Sequence, residues 1–423
     1  MTAARFKWVI VALLWVVALL NYLDRQVIFA VFPLLKNELN VSSLQLGLLG
    51  TSFLWVYGLL SPLGGYAADR FTRRGVILLS LVVWSAVTWL TGHCRTYGEL
   101  LTARGLMGIS EACYLPAALA MIADYHGDKT RSRAVGLHQS GLYAGIGLGG
   151  LGGGWIGDHY GWRAAFIALG IAGLIYAAIL AFGLKEAREQ SRANLASVDK
   201  IPFSRAMREL LASRKFLLLT GVNSLTSLAY WCVYTWLAVY LYERFRMSLT
   251  VAGFSSTFYI QVASFAGILL GGWWADRWTR TNRRARVLTQ TIGLAIAAPF
   301  LFLIGTTASQ LILMPCLVLF GLGRGFFDCN LMPVLCPIVS PNLRASAYGI
   351  LNCTSCIVGG VMAAAGGLFK DTIGLGGALQ LSAVLLAVAA VWLWTLKTKA
   401  AEEQPAGRLD VGQSSQNPNA RSW

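Results

Sequence analysis

The constraint that dominates this sequence is a series of twelve apolar blocks, each about as long as a helix needs to cross a hydrocarbon layer roughly 30 Å thick. They lie near 8–35, 44–68, 75–93, 98–123, 133–158, 163–184, 216–242, 250–275, 286–306, 309–335, 345–369 and 374–397. Inside such a layer no water satisfies the backbone, so only helices or closed barrels are viable. A barrel would alternate apolar and polar residues in runs of about ten, and these blocks do not. Of 423 residues, 56% are hydrophobic and 13% charged, where a soluble domain carries roughly 25% charge. The chain is read as an all-α polytopic membrane protein. Disorder, a disulfide mini-scaffold and an ordinary soluble enzyme are excluded. The first block begins like a signal peptide, but no small-residue cleavage site follows and apolar character resumes after Arg25, so it is counted as span 1.

The net charge is +16, which in a soluble chain would suggest nucleic acid. Its placement gives another reading. If the spans alternate, 26 of the 35 Lys and Arg fall on one side, in the N-terminus, the loops after even-numbered spans and the tail. Six (Lys36, Arg95, Arg163, Arg244, Arg246 and Lys370) fall on the other, and Arg25, Arg104 and Arg324 lie within spans. The positive-inside rule then puts both termini in the cytoplasm. The short loops suggest a bacterial inner membrane, and the sequon Asn40–Ser42 is read as chance. Nucleic acid is not expected as a partner, nor is a cofactor or metal, since the four histidines are scattered. Most of the eight cysteines sit in apolar blocks, and Cys353 and Cys356 are read as small packing residues.

A charged segment divides the chain into a six-helix bundle at 1–184, a cytoplasmic linker at 185–215, a second six-helix bundle at 216–397 and a disordered tail at 398–423. The linker is expected to hold a surface helix around Phe203–Leu211. The halves echo one another. Gly65–Arg74 after span 2 returns as Gly272–Arg280 after span 8, with Gly65, Asp69, Arg70 and Arg73 matched by Gly272, Asp276, Arg277 and Arg280. Glu111–Pro116 in span 4 returns as Asp328–Pro333 in span 10, and Arg131–Gly136 as Arg344–Gly349. Repeats in matching positions indicate pseudo-symmetric bundles related by an axis along the membrane normal.

The motif Gly-x-x-x-Asp-Arg-x-x-Arg-Arg between spans 2 and 3, its weaker copy between 8 and 9, and Arg104-x-x-x-Gly108 in span 4 resemble the signatures of the major facilitator superfamily. The resemblance covers all twelve spans. It implies a secondary transporter working by alternating access rather than an enzyme, expected as a monomer in the bilayer. It also implies that Gly65, Asp69, Arg70, Arg73, Arg74, Asp276 and Arg277 act in gating. Asp69 would pair with Arg73 and cap a neighbouring helix, and Arg70 and Arg74 would hold the cytoplasmic side closed.

Ionisable residues inside spans are costly and mark function. Span 1 carries Asn21, Tyr22, Asp24 and Arg25, and span 4 carries Arg104 and Glu111. Seven residues apart on a helix, Arg104 and Glu111 share a face within about 20° but stand about 10 Å apart along the axis, so span 1 would supply their intervening partners. A carboxylate in such a cluster can take up a proton, whereas an arginine cannot lose its own. Asn-Tyr-x-Asp-Arg with Arg-x-x-x-Gly-x-x-Glu-Ala resembles two branches, the organic anion symporters and the Spinster-type transporters of lysolipids and related amphiphiles. By that resemblance Asp24 and Glu111 couple protons, Arg25 contacts an anionic group, and Arg104 modulates Glu111 and joins the substrate site. Tyr22, Gln139, Tyr230, Tyr234, Asn330 and Asn352 are further substrate-binding candidates. Arg324 and Asp328, spaced i,i+4, either pair structurally or bind substrate, and His138 is a weaker proton-site candidate. The expected function is proton-coupled transport of a small organic anion or carboxylate. The alternatives are a Spinster-like amphiphile transporter and a membrane sensor that binds without transporting. The glycine run Gly145–Gly154 in span 5 is read as a close-packing face and not a nucleotide loop, because no strand precedes it and no Lys-Ser/Thr follows.

Overall fold

The computed structural model describes residues 3–126, 128–185, 203–340 and 343–396, with side chains left out at 3–4, 65–70, 128–129, 131–132, 203–204, 206 and 345. Among the described residues the regular structure is helical. Helix α1 (Ala3–Ala30) is span 1, and Pro33 opens a short α2 (Phe32–Leu39) beyond it. Spans 2 and 3 are α3 (Ser43–Arg70) and α4 (Arg73–Thr91). Span 4 is two pieces, α5 (Tyr97–Glu111) and α6 (Tyr114–Tyr125). A helical run of 56 residues, α7 (Asp128–Gly183), holds spans 5 and 6. It reverses at Gly161, whose φ of 80° a side chain would strain. The second half begins with α8 (Phe203–Ala212), the linker helix. Then follow α9 (Arg214–Phe245), α10 (Leu249–Trp278) and α11 (Ala285–Thr306). Span 10 is again divided, into α12 (Gln310–Asp328) and α13 (Leu331–Leu335), before α14 (Arg344–Thr372) and α15 (Gly374–Thr395). Eleven of these runs are long and apolar enough to cross a membrane. One of them, at 51 residues, is twice the length of a crossing and makes two, which gives twelve spans.

The split of spans 4 and 10 departs from the sequence reading, which took each as one helix. Pro116 and Pro333 explain it. Proline offers no N–H to the carbonyl four residues back, and its ring crowds that carbonyl. Both chains respond with the same tight turn. Cys113 N–H bonds the Ser110 carbonyl at 3.4 Å, and Asn330 N–H bonds the Phe327 carbonyl at 3.2 Å. Glu111 and Asp328 thus become the last residues of their half-helices. The start of span 4 is fixed by a capping box, in which the Thr96 hydroxyl accepts from Glu99 N–H and Glu99 accepts from Thr96 N–H, both at 3.3 Å.

The halves meet mainly through two helix pairs, α7 with α10 and α3 with α14, both in the part of the molecule away from the linker, and α1 also touches α9. Glycines make the first approach possible. Gly150 packs on Gly253 and Gly154 on Leu249, while the other face, through Gly149 and Gly153, packs on Leu23 and Val27 of α1. Asp158 caps α10, accepting from Leu249 N–H at 3.1 Å and Thr250 N–H at 2.7 Å. Across the second pair, Thr51 donates to the Gly360 carbonyl at 2.7 Å, Trp55 to the Ile357 carbonyl at 2.9 Å, and Ser43 to Asp371 at 2.9 Å. Nearby, Glu38 receives Arg163 and the Trp162 N–H. Partial burial alone would raise the Glu38 carboxyl pKa, but these bonds outweigh it and hold the group below its ordinary range.

On the linker side the described contacts of Arg73, Arg74 and Asp276 lie within their own half. Arg73 pairs with Asp124 and donates to the Ala120 carbonyl at 2.7 Å, Arg74 donates to the Ala181 carbonyl, and Asp276 pairs with Arg286 at 2.8 Å. The side chains of Asp69 and Arg70, and position 65, lie outside the described side chains.

A side chain at Gly150 would meet the Gly253 carbonyl, whereas one at Gly152 meets nothing within 4 Å. Gly150→Leu is expected to destabilise the protein by about 1–3 kcal/mol through overpacking. Gly152→Leu should leave it unchanged or gain up to about 1 kcal/mol from helix propensity. Detergent-titrated unfolding of the two purified variants checks the difference.

Candidate functional site

Between the bundles lies a cavity of about 330 Å³. The N-terminal half supplies Tyr22, Arg25, Phe53, Tyr57, Arg104 and Gln139. The C-terminal half supplies Tyr230, Trp231, Tyr234, Arg324, Asp328 and Asn352.

Arg25 is the centre of the N-terminal wall. Its guanidinium lies 4.4 Å from the Tyr57 ring centroid, 4.7 Å from Tyr22 and 4.9 Å from Phe53. A guanidinium among aromatic faces is attracted to them by up to about 2 kcal/mol each when desolvated. Its Nε pairs with Glu111 Oε2. Glu111 is wholly buried, and its second oxygen has no hydrogen-bond partner. The sequence expectation that span 1 supplies partners to both charges of span 4 is met at Glu111 by this pair, while Arg104 receives no carboxylate among the described residues.

Adjacent helical residues point about 100° apart, so Asp24 does not share the cavity with Arg25. It is 2% exposed and turned toward span 3, where the Thr88 hydroxyl donates to Oδ2 at 3.3 Å, while Oδ1 has no partner. Arg104 is 1% exposed. Its guanidinium stands 4.7 Å from the Phe53 centroid, and Nε donates to the Leu49 carbonyl at 3.4 Å. Among the described residues no carboxylate pairs with it within 4 Å. Phe53 therefore lies beside both arginines of the N-terminal half.

The C-terminal wall holds a second charged pair. Arg324 and Asp328 are 3.3 Å apart. Arg324 also donates to the Tyr234 hydroxyl, which accepts from Gln261 Nε2 at 3.0 Å. Its guanidinium lies 5.1 Å from the Tyr230 centroid and 4.8 Å from Tyr234. The Tyr230 hydroxyl and Gln139 Oε1 are buried without partners.

Besides Asp24, two further candidates are not brought to the cavity. Asn330 is 1% exposed and donates to the Phe326 carbonyl at 3.4 Å. The cavity face of span 10 runs through Arg324, Phe327, Asp328 and Leu331, and two residues beyond Asp328 a helical position points about 200° away from it. His138 is buried at 2.9 Å from the Tyr114 hydroxyl, which itself donates to the Leu14 carbonyl at 2.9 Å, so it belongs to helix packing. Sequence reasoning missed Phe53, Tyr57 and Thr88. The first two carry an i,i+4 aromatic signal that any packed membrane helix also shows, and a lone threonine carries none.

The model for the Major Facilitator Superfamily matches residues 14–364. This chain belongs to the Major Facilitator Superfamily. It is accordingly a membrane transporter and not an enzyme. Among its relatives is a probable galactarate/D-glucarate transporter of Bacillus subtilis, 27% identical over 419 residues and 90% of each chain. The hexuronate transporter of Escherichia coli is 24% identical, with 98% of each chain covered. Protein spinster homolog 1 of Xenopus laevis is 27% identical over 83% of this chain and 70% of its own. The fold superposes with a TM-score of 0.77 on a bacterial homolog of the human lysosomal transporter Spinster, crystallised in an inward-facing, occupied conformation. That structure shares 22% identity over 92% of this chain and 96% of its own.

In this transporter, removing one member of the Arg25–Glu111 pair leaves the other charged in a buried place. Arg25→Ala is expected to cost about 3–5 kcal/mol of stability. Adding Glu111→Gln should recover more than half of that loss. Detergent-titrated unfolding of the single and double variants measures it, and an additive double variant would contradict the pairing.

Proposed function

We propose that this facilitator carries a small organic acid together with protons, by alternating access of the cavity between its two bundles. The observation that carries this reading is Arg25, which lines the cavity and is held from behind by the buried Glu111. Two arginines and two carboxylates (Arg25, Arg104, Asp24 and Glu111) sum to zero when all are charged. A substrate carboxylate that takes Arg25 adds one negative charge in a low-dielectric place, where an uncompensated charge is expensive. It also leaves Glu111 without its partner. A proton on Glu111 or Asp24 removes both costs, so anion and proton enter as one neutral load. Arg104, lacking a carboxylate partner within ion-pair distance, adds a positive field that keeps proton release possible.

Tyr22, Gln139, Tyr230, Tyr234 and Asn352 offer hydrogen-bonding groups on the same walls, and the organic-acid relatives support the assignment. The Spinster relatives and the aromatic lining favour a second reading, an amphiphile. A volume of about 330 Å³, at the small end for ligand cavities, favours the small acid. The basic loops support a topology with the linker side and both termini on the cytoplasmic face of a bacterial inner membrane. With the bundles joined on the far side, the conformation is then inward-facing. One chain lines the whole cavity, which supports a monomer as the working unit, with Gly65, Asp69, Arg70, Arg73, Arg74, Asp276 and Arg277 acting at its cytoplasmic gate.

In proteoliposomes, Glu111→Gln is expected to abolish uptake driven by a pH gradient while sparing substrate counterflow, since exchange needs no proton release. Survival of both activities, or equal loss of both, would contradict the coupling role.

A further inference from the structure

The C-terminal wall carries a feature that proton coupling does not use. Arg324 and Asp328 line the same cavity as Arg25 but belong to span 10. Their contact at 3.3 Å is ionic without an aligned hydrogen bond, because Arg324 Nε has no hydrogen-bond partner. Among the described residues neither Asp328 oxygen accepts a hydrogen bond, and its side chain keeps 27% exposure. Arg324, at 12%, spends one terminal nitrogen on Tyr234. The Tyr230 hydroxyl beside them is unpartnered. The wall thus offers free acceptors from a carboxylate next to free donors from a guanidinium, with no net charge.

From this geometry we infer that the Arg324–Asp328 pair reads hydroxyl groups, and that it selects a singly charged polyhydroxy acid over a dicarboxylate of the same carbon chain. The inference rests on the organic-acid reading above. A hydroxyl both donates and accepts, so adjacent hydroxyls satisfy Asp328 and Arg324 together. A second carboxylate accepts only. It would suit Arg324 but stand against Asp328, where like charges repel at low dielectric. The substrate's single carboxylate goes to Arg25, and its hydroxylated end lies across the cavity against span 10. Asp328 and Arg324 are then specificity-determining residues.

The test uses the full-length protein in liposomes and two matched pairs of acids, D-gluconate with D-glucarate and D-galactonate with galactarate. Each pair differs only in whether the last carbon is an alcohol or a carboxylate. Competition against a labelled monoacid is expected to show at least about tenfold preference for the monoacid, the scale of a hydrogen bond to a charged group. Asp328→Asn should shrink that preference at least about tenfold by admitting the diacid. Asp328→Glu should keep it. Unfolding curves for both variants verify that they fold. Preferred transport of the diacids by the parent protein, or an unchanged ratio in Asp328→Asn, would overturn the inference and leave the organic-acid reading standing. Transport of lysolipid with no acid bound would overturn both.

Discussion

The proposed transport cycle depends on one buried ion pair. Arg25 and Glu111 come from spans 1 and 4, and the pairing faces the cavity on one side and closely packed helix on the other. In a low-dielectric interior neither charge is stable alone, so the state of one dictates the state of the other. Three aromatic rings hold the guanidinium in place. In the proposed cycle a ligand anion and the Glu111 carboxylate compete for a single fixed cation. Competition of that kind would convert binding into proton movement without any contact between substrate and proton carrier.

The two halves have kept the backbone device and changed the charges. Both broken spans end a half-helix on a carboxylate, and both breaks follow from a proline four residues beyond the first turn residue. On the offset that aligns Glu111 with Asp328, Arg324 falls where the N-terminal half has Met107, and Arg104 falls opposite Gly321. The N-terminal carboxylate is consequently served across helices by Arg25, whereas Asp328 has its arginine one turn earlier on the same helix. On the offset that aligns Gly65–Arg74 with Gly272–Arg280, Trp231 matches Asp24, and it lines the cavity. The proposed cycle uses one half to exchange a charge and the other to present a neutral polar wall.

Most of the fold was legible because the membrane permits so little else. Block length gave the spans, and the echo of Gly65–Arg74 in Gly272–Arg280 gave the two halves. The Arg25–Glu111 pairing was foreshadowed by the seven-residue spacing of Arg104 and Glu111, too long for a direct bond. The errors have local causes. Spans 4 and 10 were read as continuous although Pro116 and Pro333 carried the signal of a break, and Asn330 was offered for the cavity although it stands about 200° round the helix from Asp328. Phe53, Tyr57 and Thr88 could not be singled out, since their roles arise only when spans 1, 2 and 3 pack. The opposite directions of Asp24 and Arg25 follow from helix geometry, but which of them meets the cavity depends on the placement of α1 against its neighbours.

The central claim is that an organic acid and a proton cross together. The most direct measurement places the purified protein in liposomes with a trapped pH dye and an inward pH gradient, and adds the sugar acids one at a time. An acid that is transported should acidify the interior in step with its own entry. Entry of a labelled acid with no dye response, in liposomes shown to hold their gradient, would contradict the account.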